Sequence, residues 1–387
     1  MGALGTVLLA VIAAIAAVWV IQGTRVLFGM RKVPRLRETP PLDDAECPTV
    51  SVLFSARDEE EKLPQALATL LALDYPRYEV VAVNDRSSDA TGRILGEAAA
   101  RDPRLKVVDV TELPAGWLGK PHGLQRAYEA SGGEWLVFTD ADVRFAPGLL
   151  RRSLALAKAR GWDHMTLFGH VEMHGFWEHA IMTFFMLSLT LYTEAWRVAD
   201  PRSKKFLGVG SFQLFRRAAY EAAGTHRRLA MEVVDDMKLG KLAKLAGFRS
   251  GLALAGRSVA VRWHAGLGNI TRGVEKNFFA GADFSLAKVS AQFLAIVALE
   301  MLPVLLLAFV SGWSLVFATI ALAIPAAMQG MAARESGASP LYGLTFPLGA
   351  AIFGYMLARS TVITLRQGGI VWRGTFYRLS ELRKGIV

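Results

Sequence analysis

Two carboxylates two residues apart, Asp140 and Asp142, follow the apolar run Trp135-Leu-Val-Phe-Thr139. In an extended chain residues i and i+2 point to the same side, so both acids can face one hard cation and the phosphate oxygens it carries. Acids also end two earlier apolar runs: Asp58 follows Thr49–Ser55 and Asp85 follows Tyr78–Asn84. Asp85, at a strand tip, is placed to accept hydrogen bonds from a base or a ribose. Asp58-x-x-Glu61 also has the form of a capping box before a helix at Leu63, and Ser88 or Asp89 can cap the helix after Asp85. Further on, Glu232-Val-Val-Asp235-Asp236 opens a helical stretch, Met237–Ala246, closed by Gly247. Asp235 there complements the helix dipole, and a pair of acids brought beside a bound sugar would supply a carboxylate base for an acceptor hydroxyl.

The elements that must position these acids alternate. β-Rich runs at Thr49–Ser55, Tyr78–Asn84, Leu105–Val110 and Trp135–Thr139 are separated by helical stretches at Leu63–Ala72, Ile94–Ala100 and Lys120–Ala130. Near-continuously apolar strands between helices imply a largely parallel sheet covered on both faces. In such sheets ligands bind beyond the carboxyl ends of the strands, where Asp58, Asp85, Asp140 and Asp142 stand.

The composition adds a second environment. Of 387 residues 52% are hydrophobic and 20% charged, and the mean hydropathy is +0.31. The excess of 44 Lys plus Arg over 34 Asp plus Glu forms no basic tract interleaved with aromatics, which argues against nucleic-acid binding and for anionic headgroups. One cysteine, Cys47, excludes an internal disulfide framework. Ala3–Ile21 carries no charge and is roughly 28 Å long as a helix, enough to cross a hydrocarbon core. Arg25, Arg31, Lys32, Arg35 and Arg37 follow it, as expected of an uncleaved anchor with the next domain in the cytoplasm. Between Lys288 and Arg334 the only ionisable residue is Glu300, and a break at Ser311-Gly312 makes a helical hairpin; Gly337–Ala358, charge-free, suits one more crossing. One plus three crossings conflict with the basic tail, which the positive-inside rule places in the cytoplasm, so either a segment re-enters or a fifth exists. Phe176–Val198 reads as a helix lying in the interface. The basic stretch Arg262, His264, Arg272 and Lys276 suits headgroups, or a diphosphate at His264 or Arg272.

Together these residues resemble glycosyltransferase family 2. The resemblance rests on Ser55-Ala-Arg-Asp-Glu-Glu60, Asn84-Asp-Arg-Ser-Ser-Asp-Ala-Thr91, Gly119-Lys-Pro-His-Gly-Leu124, Thr139-Asp-Ala-Asp142, Gly208-Val-Gly-Ser-Phe-Gln213 and Asp235-Asp236. It implies an α/β GT-A fold, the Rossmann-like, mostly parallel sheet of nucleotide-diphospho-sugar transferases, with transmembrane α-helices attached. The expected division is an anchor at 1–28, a basic linker at 29–48, a cytosolic catalytic domain at 49–285, about three membrane helices at 286–364 and a basic tail at 365–387. By the resemblance, Asp140 and Asp142 hold Mg²⁺ or Mn²⁺, Asp58 and Asp85 hold uracil and ribose, Lys120 lies near the diphosphate, and Asp236 is the base. Asp235, Gly210, His264, Arg272 and Arg373 fall on the acceptor or diphosphate side. Processive synthases of the family carry Q-x-x-R-W, where this chain has Val274-Glu-Lys-Asn277-Phe278, which argues against polymer synthesis. Gly116-Trp-Leu-Gly-Lys120 and Trp372-Arg-Gly-Thr-Phe-Tyr377 look like the branch that glycosylates hopanoids, carotenoids and ceramides. The implied activity is inverting transfer of one sugar, from a uridine nucleotide, to a lipid in a bacterial-type inner membrane; transfer to a polyprenyl phosphate is the alternative.

Overall fold

A computed structural model describes residues 3–387. Its contacts divide the chain into two compact units: Val33–Glu172, Ala195–Trp263 and Val371–Val387 form the first; the chain up to Lys32, Met173–Glu194 and His264–Ile370 form the second.

The first unit is built on one eight-stranded sheet. Its strands are β1 (Val50–Ala56), β2 (Tyr78–Asp85), β3 (Leu105–Val110), β4 (Trp135–Phe138), β5 (Arg144–Phe145), β6 (His164–Val171), β7 (Gln213–Arg216) and β8 (Ser250–Val261). They run in the order β3-β2-β1-β4-β7-β6-β8-β5. The first four are parallel; β7 is antiparallel to β4 and β6, β8 is parallel to β6, and β5 is antiparallel to β8. Residues alternate between two cores. Val52, Phe54, Val80, Ala82 and Val137 meet Leu63, Leu67, Leu70 and Leu95 on one face, while Leu53, Val81, Val83, Leu136 and Phe138 meet Leu124, Ala127, Tyr220 and Leu242 on the other. Both faces being covered explains the unbroken apolar runs. The register Val50↔Tyr78 and Val50↔Trp135 brings the carboxyl ends of β1, β2 and β4 to one edge of the sheet. Asp58, Asp85 and Asp140 are therefore neighbours by strand pairing rather than by sequence.

Among the described residues, the second unit holds four helices long and apolar enough to cross a membrane: Gly5–Met30, Leu286–Leu306, Trp313–Glu335 and Pro340–Gln367. They mark the chain as membrane-associated. Helix Gly175–Thr193 packs among them: Phe184 meets Phe346 and Phe353 at centroid distances of 5.4 and 5.5 Å, and a Cβ on Gly349 would lie 2.7 Å from Phe184. Its aromatic ends, Phe176, Trp177 and Tyr192, are exposed. In the second apolar helix a π-helical turn, Ile296–Met301, precedes Pro303. Pro303 lacks the N–H that would serve the carbonyl four residues back, and the Trp19 indole donates to that carbonyl, Leu299 O, at 3.0 Å.

Three expectations change. Residues 264–285 group with the apolar helices, and 371–387 with the sheet unit, because the tail folds onto the sheet unit's loops. The helix expected over Phe176–Val198 stops at Thr193, where Glu194 turns left-handed (φ 45°). Asp58 does not cap the helix at Leu63, whose cap position, Lys62, makes no side-chain cap bond; the Asp58 carboxylate instead accepts from Ser88 N at 2.8 Å across the gap between β1 and β2.

If the indole supplies the missing bond, Trp19→Phe should cost about 1 kcal/mol of stability. Pro303→Ala, which restores an N–H, should shrink that cost, and thermal unfolding in detergent of the two single variants and the double variant measures both effects.

Candidate active site

The site is assembled at the sheet edge by residues directly beyond the strands. Asp140, the second residue beyond β4, is held by its own amide, which donates to Gly210 O at 2.9 Å. Lys120, on the first turn of helix Gly119–Glu129, brings its Nζ 2.5 Å from Asp140 Oδ1 and 3.9 Å from Asp235 Oδ2. Burial alone would favour the neutral amine. Asp140, Asp235 and Asp236 outweigh it and hold the ammonium well above the ordinary lysine range. Asp142 accepts from Lys62 Nζ at 2.8 Å, and the same ammonium donates to Arg262 O at 3.1 Å. Burial, reinforced by Asp140, still raises the Asp142 carboxyl above its usual value.

Asp236 lies in the first turn of helix Asp235–Leu245, with its carboxylate fixed by two backbone donors, Gly210 N at 3.0 Å and Met237 N at 2.8 Å. Gly210 is where two of the acids converge: a Cβ there would lie 2.6 Å from Asp140 Oδ2 and 3.1 Å from Asp236 Oδ2. Gly208 is equally constrained, since its Cβ would lie 1.9 Å from Asp236 O. Asp235 is buried and turned toward Lys120, so it does more than complement a helix dipole. A cavity of about 10 Å³, room for about one water, is lined by Lys120, Thr139, Gly210, Gln213, Asp235, Asp236 and His226. His226 is buried against the Tyr220 hydroxyl at 2.7 Å; burial, then the neighbouring Lys120 charge, pushes its pKa down to about 3, so it is neutral at working pH.

At the tips of β1 and β2 the backbone is left-handed at two non-glycine residues, Asp58 (φ 52°) and Arg86 (φ 53°). Such conformations cluster where a site over-determines them. Asp85 is buried and gripped by Arg86 through Nε at 2.7 Å and Nη2 at 2.9 Å. Gly119 makes room for that pair: its Cβ would meet Asp85 Oδ2 at 2.6 Å. Glu59, next to Asp58, is ion-paired with Arg373 from the tail. Burial raises the Glu59 carboxyl, Arg373 offsets part of that rise, and Asp142 adds to it. Of the expected site residues, Asp58, Asp85, Lys120, Asp140, Asp142, Gly210, Asp235, Asp236 and Arg373 thus stand in the sheet unit. His264 and Arg272 stand in the helical unit, where His264 packs on Gly273 and Arg272 donates to Asn269 Oδ1 at 2.7 Å. Sequence reasoning missed Glu59, Lys62 and Arg86; the charged run Asp58–Lys62 was the signal that could have found the first two.

Asp140 and Asp142 are the acids that could hold a divalent cation. Among the described residues no group of three or more His, Cys, Asp or Glu side chains is arranged to hold a metal. Asp140 and Asp142 offer two hard oxygen ligands, and Asp142 is raised even with Lys62 bound. Water and a ligand's oxygens would complete the shell of a bound cation.

The family described as Glycosyl transferase family 2 matches residues 51–224, which hold β1 through β7 and both acids beyond β4. That segment, a little under half of the chain, is similar to the family. Curated proteins similar to this chain include the 4,4'-diaponeurosporenoate glycosyltransferase of Staphylococcus haemolyticus, 26% identical over 50% of this chain and 51% of that protein. The β-monoglucosyldiacylglycerol synthase of Trichormus variabilis is 29% identical over 50% of this chain and 40% of its own length. The chain thus spans about half or less of these relatives. Among solved structures, a mannosyltransferase from Pyrobaculum calidifontis in complex with GDP-Man and Mn²⁺ superposes with a TM-score of 0.51 at 20% identity, over 92% of this chain and 98% of that one. The likeness shows the GT-A fold.

Gly210→Ala should leave the chain folded but reduce turnover about 100-fold by prising Asp140 from Asp236. Donor consumption and circular dichroism on the same preparation check both parts.

Proposed function

We propose that this chain catalyses inverting transfer of a single sugar from a nucleotide sugar, a uridine diphosphate sugar first among candidates, to a membrane lipid. The observation that carries the reading is the convergence of Asp140 and Asp236 on Gly210: a donor-side carboxylate and a base lie within the width of one side chain. Asp236 takes the proton of the acceptor hydroxyl as it attacks the anomeric carbon, its carboxylate aimed by Gly210 N and Met237 N. Lys120 supplies positive charge on the diphosphate side, and Asp85 with Arg86, flanked by Asp58, receives the ribose and base. Asp140 and Asp142 would hold Mg²⁺ or Mn²⁺, which when bound neutralises charge building on the departing nucleoside diphosphate.

The lipid acceptor draws support from three sources. The curated relatives are named for glycosylating diaponeurosporenoate and for making monoglucosyldiacylglycerol. Four helices are long and apolar enough for a bilayer. Glu275-Lys-Asn277 stands where polymerising enzymes carry Q-x-x-R-W. The basic residues after the first helix support a catalytic unit on the cytosolic side.

The test is to incubate the purified protein in detergent with Mn²⁺, a panel of nucleotide sugars and a total lipid extract, and to follow lipid masses. A lipid gaining one sugar is expected, with turnover lost in Asp236→Asn. Full turnover in that variant would contradict a base at Asp236. A product on polyprenyl phosphate, with much of the rate retained in the variant, would replace the lipid-hydroxyl reading, because a phosphate acceptor needs little base.

A further inference from the structure

The segment after the last apolar helix returns to the sheet unit and touches it along the edge where the proposed donor site lies. In it Arg373 pairs with Glu59, the residue before which β1's tip turns left-handed at Asp58 and whose carboxylate feels the charge of Asp142. Four residues later Tyr377, buried, lies within electrostatic reach of Arg86, the partner of Asp85. Leu382 is buried, and a Cβ on Gly385 would lie 2.5 Å from Met231 Cβ, just before the acids of Asp235–Leu245. One short segment thus meets the metal side of the site and its nucleoside side in turn.

The backbone of that segment argues that the arginine is placed for its side chain. Arg373 and Gly374 form a tight turn with φ of 49° and 76°. Two consecutive positive φ values favour Asn-Gly or Gly-Gly, and arginine has no conformational reason to be there. Its guanidinium is 45% exposed, while the Glu59 side chain beneath it is 18% exposed, so the fork is held at the surface of an acidic rim with part of its donor set facing outward. A guanidinium is suited to two-point recognition of phosphate oxygens. The charge on Glu59 is a weaker partner than a diphosphate, because burial and Asp142 already work against that carboxylate.

Resting on the donor site proposed above, we infer that Arg373–Tyr377 is a strap across the nucleotide, and that Arg373 exchanges Glu59 for the donor's diphosphate when the donor binds. Tyr377 and Leu382 keep the strap on the sheet unit while the turn at Arg373-Gly374 carries the guanidinium over. The segment after the last apolar helix then completes the donor side of the site.

Calorimetry on the full chain in detergent with Mn²⁺ tests this by titrating UDP and GDP beside uridine and guanosine. Arg373→Ala should weaken the preferred nucleoside diphosphate about tenfold or more and leave its nucleoside within twofold; Arg373→Lys should recover part of the loss. Glu59→Gln, which removes the competing partner, should tighten the diphosphate several-fold. A strap that is only structural would shift nucleoside and diphosphate equally, or neither, and either result overturns the inference while leaving the donor site in place. If the wild-type chain binds neither diphosphate better than its nucleoside, the donor-site reading itself fails and the strap with it.

Discussion

The ion pair between Lys120 and Asp140 is the interaction on which the site depends. It ties the loop after β4 to the start of helix Gly119–Glu129, and the same ammonium faces Asp235 at the start of helix Asp235–Leu245. Three segments far apart in sequence are therefore locked by one cation among three carboxylates. Without that charge, Asp140, Asp235 and Asp236 would repel one another in a partly desolvated space, and removing one partner of such a group costs more than the pair contributes. Lys62 does the same for Asp142 on the other flank. The two lysines let a protein hold a surplus of acids at one sheet edge before any donor arrives.

Small residues then set the distances that charge alone leaves loose. Gly210 permits Asp140 and Asp236 to close on one another, Gly208 permits the chain to pass under the carbonyl of Asp236, and Gly119 admits the Asp85–Arg86 pair. Each is a close approach where any side chain would stand in the site. The geometry of the candidate site is therefore a property of loop packing against a mostly parallel sheet, as expected when ligands bind beyond strand ends.

Much of this was legible in the sequence. The near-continuous apolar runs placed β1 to β4 to within about two residues, because strands covered on both faces admit few polar side chains, and the acids beyond them followed. The other four strands were not read from the sequence: β5 is two residues long, too short for a period, and β7 pairs antiparallel with β4 through contacts of high sequence separation. The capping-box reading of Asp58 failed for a related reason. The motif describes a local bond, whereas Asp58 found a better partner in Ser88 on the neighbouring strand's loop. The pairing of Arg373 with Glu59 joins residues 314 positions apart, and no local pattern announces it.

The central claim is that Asp140 and Asp142 form half of a metal site whose other half is the nucleoside diphosphate. Titrating UDP into the full chain with and without Mn²⁺, in wild type and in Asp142→Asn, addresses it most directly. The account predicts binding that strengthens at least tenfold with metal in the wild type and loses that dependence in the variant. Equal affinity with and without metal in the wild type would contradict it.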